Sequence, residues 1–252
     1  MIHTRELGSG TPVVFLHGLF GSGENLTGLA RGLPDGFRAV LADLPGHGRS
    51  SWIQDMRISR MADMLAAELL QKLECPAVVV GHSLGGKVAM ALALQSPELV
   101  SATAVLDIAP VRYPDRHSHI LDALLRVQQA QPQSRSQADT MLAQDVPDQM
   151  VRGFLMKNYD PQEVWRIPVD TLAEQYDALR DWDISSAVYS GASLCLYGGK
   201  SEYVVPAQHA AELQRFFPSI NLVEIPGAGH WLHASHMAET SRELNRFIIS
   251  AG

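Results

Sequence analysis

Short apolar runs alternate along the chain with longer segments in which apolar residues recur every three or four positions. The runs are rich in β-branched residues and lack polar alternation, which is typical of strands covered on both faces of a sheet. Buried strands are predicted at residues 12–16, 38–41, 77–80, 102–108, 193–197 and 221–225. Residues 2–7, followed by a Gly-Ser-Gly turn, predict a further strand at an edge of the sheet.

Helical periodicity fills most of the intervals between these strands. Helices are predicted at residues 59–73, 85–95, 209–217 and 237–249. In the first of them Met61, Leu65 and Leu69 share one face, and Ser59 is expected to cap its start. Strands that alternate with helices predict an α/β fold, in which a mostly parallel, doubly wound sheet lies between layers of helices.

Residues 111–187 interrupt the alternation. This stretch is polar and helical, contains five prolines and is much longer than an ordinary connection between strands. We therefore predict an α/β core of residues 1–110 and 188–252, and a helical cap of residues 111–187 over the carboxyl edge of the sheet. Ligands bind at that edge in open α/β sheets, and a cap there excludes water from a pocket. The alternative is a peripheral insertion without a role in binding.

Composition narrows the class of protein. The chain has 252 residues, of which 46% are hydrophobic and 19% charged, as expected for one globular unit with a large core. The net charge of -7 argues against nucleic-acid partners and anionic membrane surfaces. No run is long enough for a transmembrane helix and no apolar signal core is seen, so we expect a cytoplasmic protein without membrane insertion. The two cysteines, Cys75 and Cys195, predict buried free thiols rather than a disulfide, and oligomeric state is left open.

The strongest chemical signal is the segment Gly81-His82-Ser83-Leu84-Gly85, which joins an apolar strand pattern to an apolar helical pattern. A serine at the apex of so sharp a turn needs glycine neighbours, because the strand and the helix approach closely there. The turn presents the Ser83 hydroxyl at the carboxyl end of the sheet. Ser83 is therefore the candidate nucleophile.

An unassisted serine needs a base that takes its proton and later returns it to the leaving group. His230 is the candidate, because it follows the last predicted strand and so lies at the same edge of the sheet. Trp231 beside it is expected to support substrate binding. The other histidines are not accompanied by cysteines or carboxylates at metal-ligand spacing, so we predict no metal, and we expect surface positions for these residues: His117, His119, His233 and His236.

Acyl transfer also needs donors for the oxyanion of the transition state. One predicted donor is the backbone N–H of Leu84, directly after the nucleophile. The second is expected in the loop that follows an early strand, where the Leu19 N–H is the first choice and Phe20 the second. The side chains of these residues would line an apolar pocket.

Together these motifs resemble those of the α/β-hydrolases, in the same order and over nearly the full chain. They are His17-Gly18, the loop 43–50, the elbow 81–86 and Gly229-His230. Longer matches are similar to the bacterial YbfF-type esterases and their mitochondrial relatives, at residues 17–22, 81–87, 106–110, 198–204 and 228–234. The resemblance implies an α/β-hydrolase fold with a helical cap, a carboxylesterase or acyl thioesterase activity and no cofactor.

The position of the acid of the catalytic triad in this sequence differs from its usual position in this fold. In most α/β-hydrolases it follows the seventh strand, where this chain has Ser201, whose hydroxyl does not balance an imidazolium charge. Asp107, at the carboxyl end of the strand after the Ser83 helix, is therefore preferred, and this alternative position fits the YbfF-type resemblance. Ser201 would then support the histidine or the acid. Asp170 is a lesser candidate.

The sequence thus predicts a serine hydrolase that cleaves short-acyl esters or thioesters through an acyl-serine intermediate, with Asp107 orienting His230. A Ser83–His230 dyad is the alternative if no carboxylate is well placed. The same fold also hosts C–C bond hydrolases, perhydrolases and lyases. A small-ligand binding protein without activity and an interaction module built on the cap remain open as alternatives from other classes.

Overall fold

A seven-stranded sheet forms the centre of the protein in the computed structural model, which describes residues 1–251. The strand order is β1-β3-β2-β4-β5-β8-β9, and only β1, at the edge, runs antiparallel to its neighbour. The strands are β1 Thr4–Gly8, β2 Thr11–Leu16, β3 Phe37–Ala42, β4 Ala77–His82, β5 Val100–Leu106, β8 Ala192–Gly198 and β9 Ile220–Ile225. A separate pair is formed by β6 Tyr159–Asp160 and β7 Val164–Trp165.

Eleven α-helices surround the sheet within residues 1–251. They are α1 Thr27–Arg31, α2 Ile58–Lys72, α3 Leu84–Gln95, α4 Ser118–Ala130, α5 Arg135–Leu142, α6 Gln149–Leu155, α7 Val169–Glu174, α8 Tyr176–Arg180, α9 Pro206–Phe216, α10 Leu232–Ser235 and α11 Met237–Ala251. Short 3₁₀ turns occur at Gly23–Leu26, Pro97–Leu99 and Met156–Asn158. None of these helices is both long and apolar enough to cross a bilayer.

The apolar core lies on both faces of the sheet, as the non-alternating runs predict. Strand β4 is buried at every position, and helix α3 beside it is buried along almost its whole length. One hydrophobic cluster contains α2, α3 and much of the 118–180 region, and a second packs α1 and α11 against the opposite face. The sheet is therefore doubly wound, and its carboxyl edge opens between the two layers.

The segment between β5 and β8 carries five helices, α4 to α8. It also contains the β6–β7 pair, which the sequence pattern did not predict because each strand has only two residues. The ends of the segment are held together, since the Tyr113 N–H donates to the Arg180 carbonyl at 2.9 Å. These positions support the division into a core and a cap segment (residues 111–187), which stays a prediction.

Three local predictions were wrong. Cys195 is buried as expected, but Cys75 is exposed just before β4. Helix α2 begins at Ile58 with Arg57 as the N-cap residue, so Ser59 does not cap it. Ser59 instead forms hydrogen bonds to the Asp183 carboxylate through both its N–H and its hydroxyl. Strand β5 ends at Leu106 rather than 108, because Asp107 has a φ of 56° and leaves the extended conformation.

Candidate active site

Ser83 lies at the turn between β4 and α3, with φ 52° and ψ −120°. A non-glycine residue with this positive φ is strained, and such strain persists only where the surroundings enforce it. The neighbouring glycines are sterically required: a Cβ on Gly81 would clash with the Gly85 carbonyl, and one on Gly85 with the Leu16 carbonyl. The close approach of α3 to β2 and β4 therefore sets the position of the Ser83 hydroxyl.

The structure brings Ser83, His230 and Asp107 together in one hydrogen-bonded series. His230 Nε2 lies 3.0 Å from Ser83 Oγ, and His230 Nδ1 lies 2.7 Å from Asp107 Oδ2. The carboxylate accepts from Nδ1–H, which leaves Nε2 as the acceptor for the serine proton. His230 lies 147 residues after Ser83 and 123 residues after Asp107 in the sequence. The three residues meet because each follows a parallel strand and so lies at the same edge of the sheet.

Asp107 is completely buried, and three donors surround its carboxylate. Besides His230, the Gly198 N–H donates to Oδ1 at 3.1 Å, and the Ser201 hydroxyl donates to Oδ2. Ser201 therefore contacts the Asp107 carboxylate and not His230, and its supporting role stays a prediction. Glu202 points outward, with its side chain 80% exposed and paired with Arg116.

The other carboxylates considered lie elsewhere. Asp170 is exposed on α7 and accepts a hydrogen bond from Gln128. Asp43 accepts the backbone N–H groups of Gly23 and Arg49, at 2.7 and 2.8 Å, and so shapes its own loop. Neither carboxylate is hydrogen-bonded to the histidine that faces the nucleophile.

The loop after β2 forms a tight turn beside Ser83. The Gly21 N–H donates to the Gly18 carbonyl at 3.0 Å, and Phe20 has a φ of 63°. Leu19 and Phe20 occupy the middle of this turn, and Leu19 lines both cavities next to Ser83. Leu84 is the first residue of α3, where an N–H group has no acceptor within the helix. Their roles as oxyanion donors stay predictions.

Three histidines pack around the site. His82 is buried, its Nε2 lies 2.9 Å from the His230 carbonyl oxygen, and its ring centroid is 4.2 Å from that of His233. Burial lowers the pKa of His82 well below its usual value, so its neutral Nε2–H donates to that carbonyl. The hydrogen bond fixes the backbone of His230 itself.

The expectation of surface positions was wrong for His117 and His233, which line the large cavity described below. Burial lowers the pKa of each to about 4, so both are neutral near pH 7. His119 is exposed, and His236 is partly buried beside Ser235. Within residues 1–251, no group of three or more His, Cys, Asp and Glu side chains is arranged to hold a metal.

Tyr203 stacks on His230, with ring centroids 3.6 Å apart and an interplanar angle of 17°. Its N–H donates to Ser201 Oγ at 3.1 Å, and its carbonyl accepts the Tyr113 hydroxyl at 2.7 Å. Burial raises the pKa of Tyr203 to about 12, so the phenol stays neutral. Sequence reasoning missed this residue, although it lies two positions after Ser201.

Lys87 is a second missed residue, noticed only as part of a motif. Its side chain is buried in α3, and Nζ donates to the carbonyl oxygens of Arg180 and Asp181, both at 2.8 Å. Nζ also lies 5.0 Å from the centroid of the Tyr113 ring. Burial lowers the pKa of Lys87 to about 7. Lys87 thus ties the end of the cap segment to α3, the helix that follows Ser83.

Two cavities meet at Ser83. The smaller has a volume of about 40 Å³ and the larger about 770 Å³. Trp231 lines the larger one, where its ring packs 5.1 Å from that of Phe154 in the cap segment. Side chains from the core and from the cap segment therefore line the space in front of the Ser83 hydroxyl.

Comparison with known proteins extends this picture. Residues 11–236 match the α/β hydrolase fold family. The chain is similar to mouse sn-1-specific diacylglycerol lipase ABHD11, with 37% identity over 94% of this chain and 80% of that protein. Esterase YbfF of Escherichia coli K12 is 34% identical over 94% of this chain and 93% of its own length.

A solved structure, described as a marine microorganism esterase, superposes with a TM-score of 0.91 and 32% identity over 98% of both chains. The predicted mostly parallel sheet and the resemblance to YbfF-type esterases are thereby confirmed. On the family match and these relatives, the chain belongs to the α/β hydrolase family.

Proposed function

We propose that the protein is a carboxylesterase-type serine hydrolase, which cleaves short-acyl carboxylic esters or acyl thioesters through an acyl-serine intermediate. The observation that carries the proposal is the unbroken hydrogen-bonded series from Ser83 Oγ through His230 to Asp107 Oδ2. The 3.0 Å between Ser83 Oγ and His230 Nε2 lies within the range for proton transfer from a nucleophile to its base, and the 2.7 Å between His230 Nδ1 and Asp107 Oδ2 allows the carboxylate to orient the imidazole. The relatives named above as an esterase and a lipase support the same class of reaction.

In the first step Ser83 Oγ forms a bond to the acyl carbon while its proton moves to His230 Nε2. The electron pair of the carbonyl shifts to the oxygen, which the N–H groups of Leu19 and Leu84 are proposed to hold. Collapse of this intermediate breaks the bond to the alcohol or thiol, which leaves with the proton from His230. Asp107 stabilises the imidazolium that forms between these events.

In the second step water attacks the acyl-serine, and His230 accepts its proton. The acid is released, the proton returns to Ser83, and the enzyme is restored. The reaction as written needs no cofactor, because every proton and electron pair is supplied by the substrate, water and these side chains.

The proposal is tested by fluorophosphonate labelling and p-nitrophenyl acetate hydrolysis on the wild type, Ser83→Ala and His230→Ala. We expect both variants to lose labelling and nearly all turnover. Ser96→Ala, at the other end of α3, is the matched control and should keep both. Turnover that survives in Ser83→Ala would refute the acyl-serine route. Labelling at Ser83 with no ester or thioester turnover would favour another reaction of this fold.

A further inference from the structure

The two cavities at Ser83 differ in their relation to the catalytic base. Ser83 and Leu19 line both cavities. His230 and Trp231 line only the large one, whereas Leu84 and Ile108 line only the small one. The nucleophile thus faces two compartments, and the group that must protonate the leaving atom faces one of them.

This difference assigns the two halves of a substrate. The leaving alcohol or thiol receives its proton from His230, so it must depart on the side where His230 is exposed. The acyl chain points away from the leaving group at the tetrahedral carbon and enters the other compartment. We propose, building on the proposed function, that the small cavity binds the acyl chain and the large cavity binds the leaving group.

The volume of the small cavity limits the acyl chain. At about 40 Å³ the small cavity has about one-twentieth of the volume of the large cavity, so we expect it to favour a short acyl group such as butanoyl over longer ones. The walls are closely packed, since Leu84, Ile108 and Leu179 are each no more than 5% exposed. Longer acyl chains would have to extend beyond these walls.

The large cavity suits a long, mostly apolar leaving group. At about 770 Å³ it is in the range that encloses drug-sized ligands. Phe154 and Trp231 form an aromatic wall, and Met150 lies at the outer end with 64% of its surface exposed. A chain that starts at Ser83 and runs along this wall therefore reaches solvent at α6.

Two substrate series on the wild-type protein test the assignment. The first varies the acyl chain of p-nitrophenyl esters from acetyl to octanoyl, and the second varies the alcohol of alkyl acetates from butyl to decyl, which keeps the pKa of the leaving alcohol nearly constant. We expect kcat/KM to fall at least tenfold between butanoyl and octanoyl esters. We expect it to rise along the acetate series. The opposite order in the two series would overturn the assignment.

Two variants are expected to change the preference for acyl-chain length and the preference for alcohol length separately. Leu179→Ala widens the small cavity from α8 and should shift the acyl optimum towards hexanoyl, without changing the alcohol series. Phe154→Ala removes part of the aromatic wall and should raise KM for decyl acetate while sparing butyl acetate. Leu172→Ala, a buried leucine of α7 that lines neither cavity, controls for loss of packing in the cap segment. A shift in chain preference in Leu172→Ala equal to that in Leu179→Ala would refute the role of the small cavity.

The outcomes separate this inference from the proposed function. Ester turnover that depends on Ser83 but tolerates octanoyl groups contradicts only the assignment of the cavities. Absence of Ser83-dependent turnover on every ester and thioester contradicts the proposed function itself.

Discussion

The loops at the carboxyl edge of the sheet and the cap segment both border Ser83, but they are positioned by different means. In the loops, three non-glycine residues have a positive φ: Phe20, Ser83 and Asp107. All three belong to the candidate site. In the cap segment the positive φ values fall on Gln131, which ends α4, and on Val164, which begins β7. Neither of these residues lines the cavities at Ser83.

The difference shows that strained backbone lies next to Ser83 only in the loops, whereas the strained residues of the cap segment, Gln131 and Val164, lie away from the cavities. A residue in such a backbone conformation costs about 1–3 kcal/mol, so it persists only where its surroundings hold it in place. The buried edge of the sheet provides that support for the loops. The cap segment instead contributes side chains, such as Phe154 and His117, from ordinary helices and turns. We therefore expect changes in the loops to abolish activity or folding, and changes in the cap segment to alter specificity or stability by smaller amounts.

The largest expected effect comes from Asp107→Asn. The amide would place a donor against His230 Nδ1–H or the Ser201 hydroxyl, so the imidazole loses its tautomer and its counter-charge. We expect kcat to fall about 10⁴-fold, or about 5 kcal/mol in the barrier, measured on p-nitrophenyl acetate. Asp170→Asn, an exposed carboxylate of the cap segment, should leave kcat unchanged. Full activity in Asp107→Asn would mean that another group is the acid.

The second-largest effect is expected on the free energy of unfolding, when one glycine from each region is replaced by alanine. Gly85→Ala forces a Cβ into the carbonyl oxygens of Leu16 and His17, so we expect a loss of about 3 kcal/mol or more in the free energy of unfolding. Gly153→Ala in α6 meets no heavy atom within 4 Å and should stabilise the protein by about 0.5–1 kcal/mol. Urea unfolding measures both. Similar effects in the two variants would remove the contrast between the regions.

A smaller effect is expected at His82, which acts through the backbone of the base. The amide nitrogen of His82→Gln can take the place of Nε2 and donate to the His230 carbonyl, whereas that of His82→Asn is too short to reach. We expect His82→Asn to lose about 10- to 100-fold in kcat with little change in KM, because the imidazole shifts relative to Ser83. His82→Gln should recover most of this loss. Equal kcat values in the two variants would exclude a role for the hydrogen bond.

The smallest effect is a pH dependence carried by Lys87, which connects the two regions. Its pKa is about 7 in the folded chain, against about 10.4 for lysine in an unfolded one. Between these values the unfolded chain binds the additional proton, so stability rises with pH, by at most about 1.4 kcal/mol per pH unit. Lys87→Met should flatten the slope of the unfolding free energy between pH 7.5 and 9.5.

Exposed Lys200→Met is the matched control for that experiment and should keep the wild-type slope. An unchanged slope in Lys87→Met would mean that Lys87 stays protonated when buried. Such a result would make the link between α3 and the cap segment an ordinary charge-assisted contact with the Arg180 and Asp181 carbonyls.

Much of the core was predictable because its signals are local. Apolar runs and glycines report directly on buried strands and on the turn at Ser83, and the boundaries of the seven predicted strands differ from the observed ones by two residues at most. The contacts of Tyr203, His117 and Lys87 were not predictable in this way. A tyrosine or a lysine in a short motif carries no signal of which ring or carbonyl it will meet after the chain has folded.

The sequence by itself determined the α/β class, the turn that carries Ser83 and the set of residues that follow parallel strands, because backbone periodicity and glycine sterics act between near neighbours. Only the tertiary structure decided that Asp107 meets His230, that the Ser201 hydroxyl donates to Asp107 and that two cavities of unequal volume meet at Ser83. Those features depend on side chains from β5, β8, β9 and the cap segment converging across the chain. Their distances are set by how the sheet and helices pack, which no single stretch of sequence contains.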